Sequence, residues 1–299
     1  MPYPEGRFCS YHIVFNKRRT SQLTFFHMKR TSGLLLLFVM LPALLLAAND
    51  NFPFGGRQAG MGNAGVTLYD FWSISHNQAG MAHLQHAAAG FYFENRYMAR
   101  EMSFGAAALA LPANVGVFGA SVTYFGYSQY YESKAGLSYA RAFGERLSAG
   151  VQLNYLHTFI GEGYGNAGNL AVEMGMIYEM LPQFFIGVHI FNPTRARIAE
   201  YNDERIPTII RMGVSYVFSE RVQLSLETEK DIDRDPVFRA GLEYQVVDNL
   251  YLRGGLGTQP SVNAFGFGLN LGNLQIDLAS SFHQTLGYSP QLSILYHFQ

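Results

Sequence analysis

The feature of this sequence that most restricts its fold is an alternation of apolar and polar residues that runs from about residue 88 to the end. In the segment VQLSLETE, Val222, Leu224 and Leu226 fall on one face, and polar side chains fall on the other. A period of two residues is typical of a β-strand with one apolar and one polar face. About 14 such runs follow one another, which predicts an all-β fold.

The connections between the runs alternate in length. Short turns are predicted at residues 112–114, 144–145, 182–183, 219–221, 247–249 and 272–273, with longer loops between them that include 160–169 and 192–206. Short turns at one end and longer loops at the other are typical of a transmembrane antiparallel β-barrel of the outer membrane. A soluble β-sandwich would show the same alternation. The strand lengths, the lack of a disulfide framework and the tyrosines on the apolar faces, which suit an interfacial girdle, favour the barrel.

The N-terminus carries the pattern of an export signal. Lys29 and Arg30 precede an apolar run from Leu34 to Leu46, and two alanines follow it. The run is short for a membrane-spanning helix and fits a signal peptide that starts at Met28. Residues 1–48 are therefore expected to be an upstream extension plus a cleaved signal peptide, and the protein is expected to be integral to a Gram-negative outer membrane.

Composition disfavours several other classes of protein. Charged residues make up 14% of the chain, against about 25% in soluble domains. After residue 48 there remain 15 basic and 21 acidic side chains, a formal charge of −6, so no nucleic-acid partner is expected. The histidines lack metal-ligand spacing, and no nucleophile motif is present. We expect no enzyme activity, catalytic residue, cofactor or metal.

Charged residues on the polar faces are predicted to meet across strands. In hairpins that are symmetric about their turns, the residue numbers of cross-strand partners have a constant sum. The predicted lumen pairs are Arg211 with Glu229, Glu227 with Arg239, and Glu243 with Arg253. These pairs would line a permeation path or would neutralise and stiffen one wall. The second interpretation is favoured, because paired charges attract no substrate.

A glycine-rich segment, residues 49–87, precedes the first strand. Its GMGNAG sequence at 60–65 matches a dinucleotide-binding fingerprint, but no strand precedes it and the acidic residue Asp70 follows too closely. The dinucleotide interpretation is therefore rejected.

The same segment resembles the N-terminal signature of the FadL-like outer-membrane superfamily. That group includes transporters of long-chain fatty acids and hydrocarbons, and the PorV/PorQ proteins of type IX secretion in Bacteroidetes. Gln78 stands where the family pattern has a proline. The resemblance implies that residues 88–299 form a 14-stranded barrel and that residues 49–87 fold into its lumen as a hatch. The matching residues are Arg57, Gly60, Gly62, Gly65, Asp70, Asn77, Ala79 and Gly80.

Three functions follow from the resemblance. The first is an accessory role of the PorV/PorQ type in type IX secretion, with secretion-machinery proteins or cargo as partners. It is favoured, because a barrel with short outer loops offers little pocket for a ligand. The alternative is FadL-like passive transport of hydrophobic small molecules through the lumen. The third is a structural barrel without transport. In each case the outer-membrane lipid is a further partner.

Overall fold

Within the described residues, 51–161, 165–196 and 206–298, fourteen antiparallel strands close into a barrel in this computed structural model. Neighbouring strands in the sequence pair with each other, and β1 closes the barrel on β14. The strands are β1 (Ala88–Asn95), β2 (Ser103–Ala113), β3 (Gly116–Tyr127), β4 (Tyr130–Phe143), β5 (Leu147–Ile160), β6 (Gly165–Leu181), β7 (Phe184–Phe191), β8 (Ile209–Ser219), β9 (Val222–Asp231), β10 (Val237–Val247), β11 (Leu250–Gly257), β12 (Val262–Leu271), β13 (Leu274–His283) and β14 (Gly287–His297). The predicted all-β barrel and its strand number are confirmed.

One predicted loop is wrong. Residues 160–169 were expected to form a long loop, but Ile160 pairs with Gly165, and β6 continues from there. Glycine and asparagine disfavour a strand in isolation, which hid this part of β6 in the sequence. The hydrogen bonds to the long strand β5 stabilise this part of β6 although its residues have low strand propensity. The expected signal peptide and most of the predicted 192–206 loop lie outside the described residues.

The two ends of the barrel differ. We call the end with the tight turns, such as Glu220–Arg221 between β8 and β9, the turn end, and the opposite one the loop end. Large apolar side chains such as Leu137 cover the outer face between them. Aromatic contacts flank this band, with Tyr124, Tyr131 and Phe159 toward the loop end and Tyr296 and Phe298 at the turn end. An apolar band between aromatic girdles is typical of a transmembrane barrel.

Within the described ranges, no helix is long and apolar enough to cross a membrane.

The lumen is occupied by residues 51–87, which we call the plug. It contains helix α1 (Gly56–Gly60), helix α2 (Ser73–His76) and a 3-10 helix (Gln78–His83). Phe71 and Trp72 are buried in a cluster with the plug residue Phe54 and with alanines of β2. The alternation of β2 is weak in the sequence because its lumen side must be small to admit these rings.

Elsewhere the plug backbone lies directly against the wall. Glycines on the lumen face leave no room for a side chain, because a Cβ there would overlap a plug atom. These wall glycines are Gly150, Gly175, Gly187, Gly213, Gly241, Gly255 and Gly266. They span β5 to β12, so much of the wall is shaped to the path of the plug.

A pair of adjacent glycines tests this packing. A Cβ at Gly255 would overlap backbone atoms of Met61 and Gly62, whereas Gly254 has open space around it. We expect Gly255→Ala to lower the free energy of unfolding by about 1–3 kcal/mol, as overpacking does. Gly254→Ala should change it by less than about 0.5 kcal/mol. Thermal unfolding in detergent micelles, followed by the gel mobility of the folded barrel, measures both. Equal stability of the two variants would contradict the packing.

Candidate functional site

Arg57 joins the plug to the wall. Its guanidinium donates to both carboxylate oxygens of Glu243, at 3.0 and 2.7 Å, and to Oε1 of Gln223 at 3.1 Å. It also donates to Oδ2 of Asp70 at 3.0 Å. Burial lowers the pKa of Arg57, but the carboxylates of Glu243 and Asp70 raise it by more, so Arg57 stays charged.

Asp70 organises the plug around this arginine. It accepts hydrogen bonds from Nε2 of Gln58 at 2.8 and 2.9 Å and from the backbone N–H of Ser73 at 2.9 Å, at the start of α2. The two charged residues of the predicted hatch motif therefore form one unit. Asp70 shapes the plug, and Arg57 attaches it to the barrel.

The contact continues along the wall and returns to the plug. Arg253 donates to Glu243 at 2.6 Å and to Asp277 at 2.6 Å. Ser293 donates to Asp277 at 3.2 Å and accepts the backbone N–H of Gly56 at 3.2 Å. Gly56 and Arg57 are adjacent, so the interactions form a closed ring. We call Gly56, Arg57, Glu243, Arg253, Asp277 and Ser293 the clamp.

The structure places the partners of each predicted lumen pair opposite each other, and the pair of Glu243 with Arg253 lies in the clamp. Arg211 donates to Glu229 at 2.6 Å, and Arg239 contacts Glu229 at 3.0 Å and Glu227 at 3.4 Å. Glu227 also accepts the backbone N–H of Val66 at 2.9 Å. The charges neutralise one another and give the plug a second attachment.

The sequence analysis missed a buried carboxylate on the opposite wall. Glu173 is fully buried and contacts Lys134 at 3.3 Å, His189 at 3.0 Å and Asn154 at 2.8 Å. Gln78 of the plug donates to it at 2.9 Å. The residue at the expected proline position thus makes a polar contact with the wall. Glu173 lies on a polar face and has no opposite charge across either strand pair, and this was the signal that the sequence offered for a buried carboxylate.

Asn77 holds the next part of the plug. Its Oδ1 accepts the backbone N–H of Ala79 at 3.2 Å and so caps the 3-10 helix. Its amide donates to the carbonyl of Val66 at 2.7 Å and to that of Met176 on β6 at 3.2 Å. One side chain therefore joins two parts of the plug to the wall.

The other residues of the predicted hatch motif make close contacts. At each glycine among them an added side chain would press on a neighbouring atom, and the backbone of Ala79 lies where a Cβ at Gly150 would be. Gly60 lies against Gly266, Gly62 (φ +65°) against Gly255, Gly65 against His76, Gly80 against Ser73 and the carbonyl of Leu68, and Ala79 against Gly150.

A chamber of about 470 Å³ lies beside the plug toward the loop end. Phe52, Tyr92 and Pro53 give it an apolar side, and the paired charges Arg211, Glu229 and Arg239 give it a polar side. A groove of about 590 Å³ lies on the outer face over β7 to β11 and is lined by apolar side chains such as Ile186, Met212, Leu226, Phe238 and Leu256. Arg239, Gly257 and Thr258 border both spaces, so one stretch of wall separates them.

A serine and a histidine meet at the turn end but do not form a usable nucleophile. Nε2 of His83 lies 3.0 Å from Oγ of Ser148, and Ser148 is fully buried. A substrate has no access to that hydroxyl. In the part of the chain that the structure describes, no three histidine, cysteine or acidic side chains gather as metal ligands.

Comparison with solved structures finds the same barrel. The sequence matches no protein-family model and no curated protein significantly. The Ralstonia pickettii toluene transporter TbuX is 13% identical with a TM-score of 0.67, covering 82% of this chain and 98% of TbuX. The CymD monoaromatic hydrocarbon channel is 14% identical with a TM-score of 0.65, covering 84% and 99%. A Pseudomonas aeruginosa FadL homologue is 13% identical with a TM-score of 0.62, covering 85% and 100%. At these identities the likeness shows a shared fold.

Removal of Arg57 should loosen the plug. Arg57→Met leaves Asp70 without its cation and leaves Glu243 with Arg253 alone, at a cost of about 1–3 kcal/mol after allowance for partial exposure. The sole cysteine, Cys9, can be replaced by serine, and Ala64→Cys then places a unique thiol at a buried plug position. Maleimide labelling at this thiol should accelerate on the order of tenfold or more. Arg57→Lys should have an intermediate effect. Arg221→Met, at an exposed turn, should have none, and unchanged labelling in Arg57→Met would refute the clamp.

The plug should also respond to acid through His76. Burial, with Arg211 and Arg239 nearby, lowers the pKa of this plug residue well below about 6.5. Below a pH of about 6.5 the unfolded chain takes up a proton at His76 that the folded plug excludes. The free energy of unfolding therefore decreases as the pH is lowered, by up to about 1.4 kcal/mol per pH unit. His76→Gln should remove this part of the slope between pH 7.5 and 5 in thermal unfolding. His86→Gln, at an exposed position, should retain it, and identical slopes for wild type and His76→Gln would contradict the assignment.

Proposed function

We propose that this chain is an integral outer-membrane barrel that passes small hydrophobic molecules across the membrane without an energy source of its own. The observation that carries the proposal is the wall segment at Arg239, Gly257 and Thr258, which borders the chamber inside and the apolar groove outside. A ligand in the chamber therefore lies one wall thickness away from an apolar, lipid-facing surface.

The size of the chamber suits this role. Ligand sites commonly measure about 300–1,000 Å³, and an apolar cavity of about 150 Å³ is enough for benzene. The chamber of about 470 Å³ has room for a molecule of one or two rings. The names of TbuX and CymD, a toluene transporter and a monoaromatic hydrocarbon channel, support the same class of ligand.

The position of the plug defines the route. The clamp and Glu173 fasten the plug to opposite walls, and the wall glycines hold its backbone between them. Direct passage toward the turn end would require these contacts to break. Passage from the chamber through the wall to the outer groove leaves the plug contacts intact and requires only the pairing of β10 with β11 beside Arg239 and Gly257 to open, and we favour it.

The secretion role favoured in the sequence analysis receives no support from the comparisons. The three neighbours are named as transporters, channels or a FadL homologue, and none of these names refers to secretion. The comparisons therefore favour hydrophobe transport, the alternative, over the PorV/PorQ assignment.

A chamber-filling variant tests transport. Ala264 lines the chamber, so Ala264→Trp should lower the uptake of radiolabelled toluene, per barrel in the membrane, toward that of cells without the protein. Ala107 lies on the exposed outer face, and Ala107→Trp should leave uptake unchanged. If wild-type cells take up no more toluene than cells without the protein, the transport proposal fails. Co-purification of large periplasmic or surface proteins with an empty barrel would then favour secretion.

A further inference from the structure

Three phenylalanine rings surround one guanidinium at the edge of the chamber. The Cζ atom of Arg96 lies 3.8 Å from the ring centroid of Phe52, 5.3 Å from that of Phe104 and 5.2 Å from that of Phe125. All three distances fall within the approximately 6 Å range of a cation–π contact. We call the three rings the aromatic box.

The box is assembled from separate parts of the chain. Phe52 belongs to the plug, and Phe104 and Phe125 face each other across β2 and β3. The ring of Phe52 lies 6.1 Å from that of Phe104 and 5.3 Å from that of Phe125. Phe52 and Arg96 also line the chamber, so the box borders the chamber on that side.

A buried carboxylate supplies the counter-charge. Oε2 of Glu94 lies 3.4 Å from Nε of Arg96 and accepts the hydroxyl of Tyr92 at 3.3 Å. Its other oxygen accepts Nε2 of Gln291 at 3.3 Å. Glu94 is therefore fixed by wall residues and stays in place when Arg96 moves. The site combines a fixed anion with three aromatic faces, which is the chemistry that binds an organic cation.

Arg96 itself stands on a short segment between β1 and β2 that is only partly buried. The next two residues, Tyr97 and Met98, have left-handed backbones with φ of 56° and 55°, which side chains other than glycine rarely adopt. Met98 is 70% exposed. Outward rotation of the Arg96 side chain leaves this backbone unchanged and gives up its contacts with the three rings.

We propose that the aromatic box binds the cationic head of an amphiphilic ligand, such as a quaternary ammonium group joined to an apolar body, and that Arg96 fills the box until the ligand displaces it. One cation replaces another beside Glu94, so the charge of the site does not change. The apolar body then lies in the chamber. The inference rests on the proposed function, because the ligand reaches the aromatic box through the chamber.

Two probes of equal shape separate charge from hydrophobicity. Phenyltrimethylammonium carries a permanent positive charge, and tert-butylbenzene is its neutral counterpart. Binding of both to the full-length barrel in detergent, measured by calorimetry, should favour the cation. Arg96→Ala empties the box and should tighten cation binding roughly three- to tenfold, with little change for the neutral probe.

Matched variants control for other causes. Arg100→Ala removes a positive charge from the same loop at an exposed position outside the box, and should not tighten cation binding. Glu94→Gln should weaken binding of the cation and spare tert-butylbenzene. Phe52→Leu removes one ring of the box but keeps an apolar side chain on the chamber, so it should weaken binding of the cation by the larger factor. The folded gel mobility of each variant verifies that the barrel has formed.

The outcomes distinguish the two proposals. Binding of tert-butylbenzene with no preference for the cation, in wild type and Arg96→Ala alike, overturns the box and leaves hydrophobe transport standing. Equal tightening by Arg96→Ala and Arg100→Ala also overturns it, because a general charge effect then suffices. Binding of neither probe counts against both proposals.

Discussion

The clamp is the interaction on which the arrangement of the lumen depends. A charged group away from water is tolerated only with a partner, and loss of one partner strands the other. Without Arg57, the wall residues Glu243, Arg253 and Asp277 would carry two negative charges and one positive charge. Without the wall, Arg57 would keep only Asp70 of the plug as a partner. Because the ring starts and ends at adjacent plug residues, it fixes the position and the direction of α1 together. The position of the rest of the plug follows from the position of α1.

The wall is adapted to the plug in two ways. Where the plug presents rings, as at Phe71 and Trp72, the facing strand offers alanines. Where the plug presents backbone, as at Met61 and Gly62, the strands offer glycines. Both adaptations weaken the local strand pattern. The residues on the lumen face are therefore determined by the shape of the plug, and those on the lipid face by the membrane.

The sequence predicted contacts within single hairpins, but it could not predict contacts between segments that are distant in the chain. Along these hairpins the residue sum is constant up to a register shift beside the turn, so Glu243 and Arg253 could be paired from their numbers. Nothing local joins Arg57 to Glu243, which lie 186 residues apart. Glu173 was missed because its partners come from different strands and from the plug. The glycine-rich start of β6 was missed because pairing overrides weak propensity.

The pairing of the lumen charges bears on how the chamber would select the hydrophobic ligand that we propose. Arg211 and Arg239 are balanced by Glu229 and Glu227, so their fields largely cancel a short distance into the chamber. Selection then falls to groups that interact at contact, chiefly the aromatic side of the chamber. In the aromatic box, the proposed cationic ligand can replace the guanidinium of Arg96 without leaving Glu94 unpaired. The clamp has no such alternative partner, which is why we place ligand recognition at the chamber wall and anchorage at the plug.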